Sequence, residues 1–181
     1  MTPRTGSKIS LSVLTVMLTA TCALPQPRST SMPNRVDINP RLVTSGQPSA
    51  ETLASLREQG FDAVIYLAPP TVPDAVRDEA FIVAKQGLTF VNIPIKFDEP
   101  TEKDFDTVTS VLSALAKRKV LVHCQINLRA SSMVFLHRVV TAKEDPRIAY
   151  DAVAKVWSPD GVWKTLMRTL LQKNGVTFEP Y

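Results

Sequence analysis

Cysteine and histidine are scarce: the 181 residues hold two of each. Neither shows ligand spacing, so no metal centre is implied, and nothing calls for an organic cofactor. One of the two cysteines, Cys22, stands in the opening segment. A chain that has lost this segment keeps Cys124 alone and cannot form an internal disulfide. Such a thiol can stay free in an oxidising compartment, and an inert buried cysteine obeys the same arithmetic. A surplus of one charge is lacking as well. The formal net charge is +4. It falls to about +2 once Arg4 and Lys8 are set aside, too little for a nucleic-acid partner. Internal repeats and heptads are absent, and no apolar run is long enough to span a bilayer comfortably. What remains is a hydrophobic content of 44%, ordinary for a domain with a real core.

The opening segment has its own character. MTPRTGSK is a positively charged stretch, and ISLSVLTVMLTATCAL is short, apolar and rich in threonine. Residues 1–23 therefore read as a signal peptide cleaved after Ala23, with a lipoprotein site at Cys22 as the competitor. Residues 24–34 read as a Pro/Ser-rich linker, and residues 35–181 as the folded domain. The expected location is periplasmic or secreted, with no stable membrane insertion after leader removal.

Along the domain, apolar runs alternate with amphipathic ones. Arg41–Thr44 reads as a short strand running into the turn Ser45-Gly46-Gln47-Pro48. Ser49 caps a helix that Gly60 ends. Ala63–Leu67 is a buried strand broken by Pro69 and Pro70. Asp74–Gln86 reads as a second helix, Thr89–Ile95 as a strand, and Thr101 as the cap of a third helix reaching about Ala116. Val120–His123 is the next buried strand, followed by helix over Ala130–Thr141. Two more helices are expected around Ile148–Trp157 and Val162–Gln172. The tail from Gly175 to Tyr181 reads as an extended edge segment, and Trp157 and Trp163 as core packing. The alternation predicts an α/β fold with a mainly parallel central sheet flanked by helices. Sites in such folds lie beyond the carboxyl ends of the strands, where Cys124 and Asp98 both fall.

The stretch VLVHCQINLRASS carries the chemistry. A strand delivers His123 and Cys124 to the mouth of a helix, and Arg129 follows in its first turn. Unpaired N–H groups and the dipole at a helix start favour an anion and a thiolate. A thiolate is a nucleophile without a separate base, and a guanidinium offers planar paired donors to an oxyanion. His123 points away from Cys124 by strand alternation, so it reads as an organiser of the loop or a satisfied core histidine.

HCQINLR followed by ASS resembles the active loop of cysteine-dependent tyrosine and dual-specificity phosphatases, His-Cys-x-x-Gly-x-x-Arg-Ser/Thr. The stretch TSGQPSAETLASLREQGFDAVIYL is similar to the opening of a bacterial phosphatase-like family. This resemblance spans roughly Arg35 to Thr141, in the order opening, KFDEPT, loop. It implies a phosphatase-like fold of the dual-specificity type and a phosphorylated protein or small molecule as substrate. It implies that Cys124 attacks phosphorus to give a phosphocysteine. Arg129 and the N–H groups of Gln125, Ile126, Asn127, Leu128 and Arg129 would hold the oxygens. Asp98 of KFDEPT would be the general acid, with Glu99 in reserve.

The loop also departs from that pattern. Four residues, Gln125 to Leu128, separate cysteine from arginine, where the phosphatases have five. Glycine is missing, and only Asn127 readily takes a left-handed backbone. Ala130 stands where a hydroxyl is expected, and Ser131 comes one residue later. The shorter cradle is similar to that of rhodanese-type sulfurtransferases, which gives a second enzymatic reading. A catalytically weak, oxyanion-binding pseudophosphatase is the third.

Overall fold

The computed structural model describes Met1 and residues 31–181. The rest of the expected leader, including Ala23 and Cys22, lies outside the described residues.

Five four-residue strands form one sheet. They are β1 (Val36–Asn39), β2 (Leu42–Ser45), β3 (Ala63–Tyr66), β4 (Thr89–Asn92) and β5 (Val120–His123). The spatial order is β1-β2-β5-β3-β4. Only β1 runs antiparallel, to β2; β2, β5, β3 and β4 are parallel. The expected fold class therefore holds. β5, which delivers Cys124, lies at the centre, paired on both sides.

The register lines residues up in rungs across the four parallel strands. Two inner rungs read Val43–Leu121–Val64–Phe90 and Thr44–Val122–Ile65–Val91. The last rung, at the carboxyl ends, reads Ser45–His123–Tyr66–Asn92. Alternation along each strand sends side chains to two separate cores. Val43, Val64 and Leu121 face Leu53, Leu56 and Val83. Ala63, Ile65, Val120 and Val122 face the larger helical layer.

The helices follow from local chemistry, with instructive differences from the sequence pattern. Helix α1 is only Ala50–Leu53, capped by Ser49, not a helix reaching Gly60. Beyond it the backbone tightens to three-residue bonds, such as Ser55 N–H to Thr52 O at 3.1 Å. The Ser55 hydroxyl also donates to Thr52 O at 3.0 Å, competing for a helical carbonyl. Helix α2 is Glu79–Ala84, not Asp74–Gln86, because Asp78 takes a left-handed backbone at φ 60°. Asp74 is thus freed from the helix and placed in a loop of turns.

Helix α3 (Glu102–Ala114) starts as expected at Thr101, with a full capping box to Asp104. Helix α4 (Leu128–Leu136) begins directly after Asn127. It passes into a π-helical turn over His137–Thr141. Helices α5 (Pro146–Ala154) and α6 (Gly161–Lys173) complete the layer. The tail is not an edge strand. Val176 and Phe178 pack on the main core instead, and the Tyr150 hydroxyl donates to the Tyr181 carbonyl. Packing Phe178 against Phe135 and Tyr150, with Val176 on the same core, outweighs pairing along a sheet edge.

Candidate active site

β5 ends at His123, and the chain turns through Cys124, Gln125, Ile126 and Asn127 into α4. Asn127 makes this turn possible with φ 74°, as its residue type allowed. Its side chain has a second task. Nδ2 donates to Asn34 O at 2.6 Å and to Thr44 Oγ1 at 3.1 Å. Asn34 returns the contact, its own Nδ2 donating to Ile126 O at 3.0 Å. Asn34 closes the expected linker, yet it clamps the loop, and Met32 beside it is buried on the smaller core. On the other side Gln47 N–H donates to Gln125 O at 2.9 Å.

The clamp turns the loop carbonyls of Gln125 and Ile126 outward onto the neighbouring chain. Among the described residues, the N–H groups of Gln125, Ile126, Leu128 and Arg129 donate to no protein acceptor. These donors lie at and just before the start of a nine-residue helix, where the dipole adds positive potential. Cys124, directly before them, is fully buried and is the free cysteine of the described chain.

Arg129 is 5% exposed. Nε donates to Ile95 O at 3.0 Å and Nη1 to Gln125 Oε1 at 3.3 Å. The Phe97 ring lies 5.1 Å from the guanidinium carbon. Two of its five N–H donors are thereby used, which fixes the plane and leaves the others for a ligand. A cavity of about 280 Å³ opens here, lined by Asp74, Phe97, Gln125, Ile126, Leu128 and Arg129. Ile126 is exposed at its rim.

Among the described residues the His123 ring makes no hydrogen bond to the loop. Nε2 sits 2.6 Å from Glu79 Oε1, both groups buried. The ring N–H is not aligned with that oxygen, so the two groups lie in close contact without a well-directed hydrogen bond. Glu79 Oε2 accepts from Gln47 Nε2 at 2.9 Å. Tyr66 stacks on the His123 ring with centroids 4.7 Å apart. Burial, then the charges of Glu79, Asp74 and Cys124, push the Tyr66 hydroxyl up to about 12. Gln47 and Glu79 were not singled out from the sequence. Each lies dozens of residues from His123, and only the sheet brings them together.

The two loop carboxylates expected to serve the chemistry are placed differently. Asp98 is exposed and makes no hydrogen bond or salt bridge among the described residues. Glu99 accepts from Lys96 Nζ at 3.0 Å. Phe97, between Lys96 and Asp98, reaches the cavity instead. Trp163 holds it there, its Nε1 donating to Phe97 O at 2.8 Å. Trp157 and Trp163 both pack against the Phe97 ring. Ser131 turns its hydroxyl back to Leu128 O at 3.2 Å. Ser132, one residue on, has a buried hydroxyl with no partner.

A sequence model of the family described as DSP-PTPase phosphatase fused to NAD+ kinase matches residues 24–165. The beta-lactamase hydrolase-like protein of Xylella fastidiosa is 30% identical over 112 residues. That match covers 60% of this chain and 26% of the relative, so the chain spans about a quarter of that protein's length. Among solved structures, a DUF442 protein from Shewanella putrefaciens CN-32 is similar with a TM-score of 0.72 and 26% identity. The likeness covers 79% of this chain and 94% of that one. The core catalytic domain of a PP-IP phosphatase from S. cerevisiae shares the fold at 13% identity and a TM-score of 0.62. It is covered over its full length, with 84% of this chain.

Proposed function

Because the chain belongs to the DSP-PTPase phosphatases of the kind fused to NAD+ kinase, we propose that it is a thiolate-dependent phosphomonoester hydrolase. The observation that carries this reading is the set of unused N–H groups between Cys124 and Arg129. Cys124 attacks phosphorus, an S–P bond forms, and the P–O bond to the leaving group breaks. The free N–H groups and the remaining donors of Arg129 hold the oxygens of the phosphoryl group as charge shifts onto them. A carboxylic acid at the cavity protonates the departing oxygen. Water then attacks phosphorus, the S–P bond breaks, and phosphate leaves. His123, paired to Glu79, fixes the end of β5 from which Cys124 projects. Ser131 and Glu99 have supporting places only.

The substrate is a phosphorylated protein or small molecule. We place the domain outside the cytoplasm, periplasmic or secreted, on the strength of the leader sequence. Among the described residues no helix is long and apolar enough to cross a membrane.

Sulfur transfer is the second reading. It is favoured by the four-residue span from Gln125 to Leu128 and by the apolar rim of Phe97, Ile126 and Leu128. One comparison tests both: p-nitrophenyl phosphate hydrolysis without added metal, and thiosulfate-to-cyanide transfer, each by the full chain and by Cys124→Ser. Hydrolysis that vanishes in Cys124→Ser supports the phosphatase. Transfer without hydrolysis replaces it with the sulfurtransferase. Absence of both, with inorganic phosphate still bound, leaves an oxyanion-binding module.

A further inference from the structure

The resemblance of KFDEPT to the phosphatase acid loop implied proton transfer by Asp98, on the loop after Ile95. The geometry points to Asp74 as the residue that protonates the leaving group, with Gln125 holding it in place until the oxyanion arrives. The inference rests on the phosphatase reading and refines it.

Four observations support it. Asp74 lines the same cavity as Arg129, whereas Asp98 does not. Its Oδ1 accepts from Gln125 Nε2 at 2.8 Å. The same carboxamide accepts from Arg129 Nη1 at 3.3 Å through Oε1. A single side chain therefore links the anion-binding guanidinium to the carboxylate across the cavity. The charges of Glu79, Asp74 and Cys124 add to the burial that raises the Tyr66 hydroxyl, and Arg129 opposes them.

The loop conformation makes this possible. Had residues 74–78 been helical, as their pattern suggests, Asp74 would be tied to the axis of α2. The left-handed Asp78 releases it. The charged and titratable groups tied to Asp74 are Arg129, joined to it through Gln125, and Tyr66, whose hydroxyl feels the Asp74 charge. Arg77 and Asp78 are nearby on its own loop.

The sequence of events follows. A phosphoryl oxygen takes Arg129 Nη1 from Gln125, and the freed carboxamide loosens its hold on Asp74. As the sulfur–phosphorus bond forms and the phosphorus–oxygen bond breaks, the Asp74 acid gives its proton to the departing oxygen and becomes a carboxylate. In the second step that carboxylate accepts a proton from the attacking water. The electron pair of the S–P bond returns to the Cys124 sulfur.

The test compares the full chain with Asp74→Asn, Asp74→Glu and Asp98→Asn on two substrates, across acidic to neutral pH. Phenyl phosphate has a poor leaving group and needs the proton; p-nitrophenyl phosphate has a good one. Asp74→Asn is expected to lose about 10²-fold or more on phenyl phosphate and under about tenfold on p-nitrophenyl phosphate. Its kcat profile should lose the limb set by the acid, and Asp74→Glu should restore part of it. The inference is overturned if the leaving-group-dependent loss appears in Asp98→Asn and not in Asp74→Asn. It is also overturned if Asp74→Asn slows both substrates equally. A parent without turnover on either substrate overturns the phosphatase reading and this assignment with it.

Discussion

Gly46 is where the fold and the loop press on each other hardest. A Cβ there would meet Gln125 O at 2.8 Å, Ile126 Cα at 3.1 Å and Pro33 Cβ at 3.2 Å. Two of these are backbone atoms of the loop, and none is the far end of a flexible side chain. To recover an ordinary contact of 3.4 Å, the Gln125 carbonyl must retreat by about 0.6 Å. That carbonyl accepts from Gln47 N–H, and Gly46 N–H is itself tied to Pro33 O at 2.6 Å. The loop is thus pinned against the very atom it must avoid. Gly46→Ala is expected to cost about 1–3 kcal/mol of stability, as overpacking does. It should also lower kcat/KM by roughly tenfold or more, since misplacing reacting groups by about 1 Å costs up to about 10²-fold. The assay pairs urea unfolding with p-nitrophenyl phosphate kinetics. Gly87→Ala is the control: φ is +75° with nothing within 4 Å. It carries left-handed strain of about 1–2 kcal/mol but lies away from the loop. If kcat/KM falls no further in Gly46→Ala than in Gly87→Ala, the close approach does not position the cradle.

Trp163→Phe removes the donor to Phe97 O; it should cost about 1–2 kcal/mol in urea unfolding and raise KM as Phe97 drifts from Arg129. Unchanged stability and KM would show that the indole N–H does not hold this loop. Tyr66 predicts an alkaline effect. Its folded value of about 12 lies above the ordinary 10.0, so the unfolded chain loses the proton first. The stability from the neutral phenol is therefore full below pH 10 and lost as pH rises toward about 12. Tyr66→Phe should flatten that part of the urea-midpoint profile, and an unchanged slope would contradict it.

Local rules made part of this molecule legible. The apolar runs at Ala63 and Val120, the Thr101 capping box and the left-handed Asn127 each depend on a few neighbouring residues. So did the placement of Cys124 and Arg129 at the start of a helix. The short β1 was missed because four residues flanked by Arg35 and Pro40 carry little pattern, and its pairing with β2 decides its state. Helix α2 began late because a single left-handed Asp78 overrode a run of otherwise suitable residues. Asp74, Gln47 and Glu79 escaped notice for a different reason. Their partners, Gln125 and His123, are far along the chain, and only the order β2-β5-β3 brings them into range. Asn34 likewise looked like linker until its side chain was seen on Ile126 O.

The rungs of the sheet carry a lesson for redesign and for divergence. Three of them hold mostly aliphatic and aromatic side chains, and the fourth is Ser45–His123–Tyr66–Asn92. Cohesion and chemistry are thus written on different cross-sections of one small sheet. A lineage, or an engineer, can revise the last cross-section and the loops that spring from it while the three beneath keep the scaffold standing. New specificities can then be explored without each trial risking collapse.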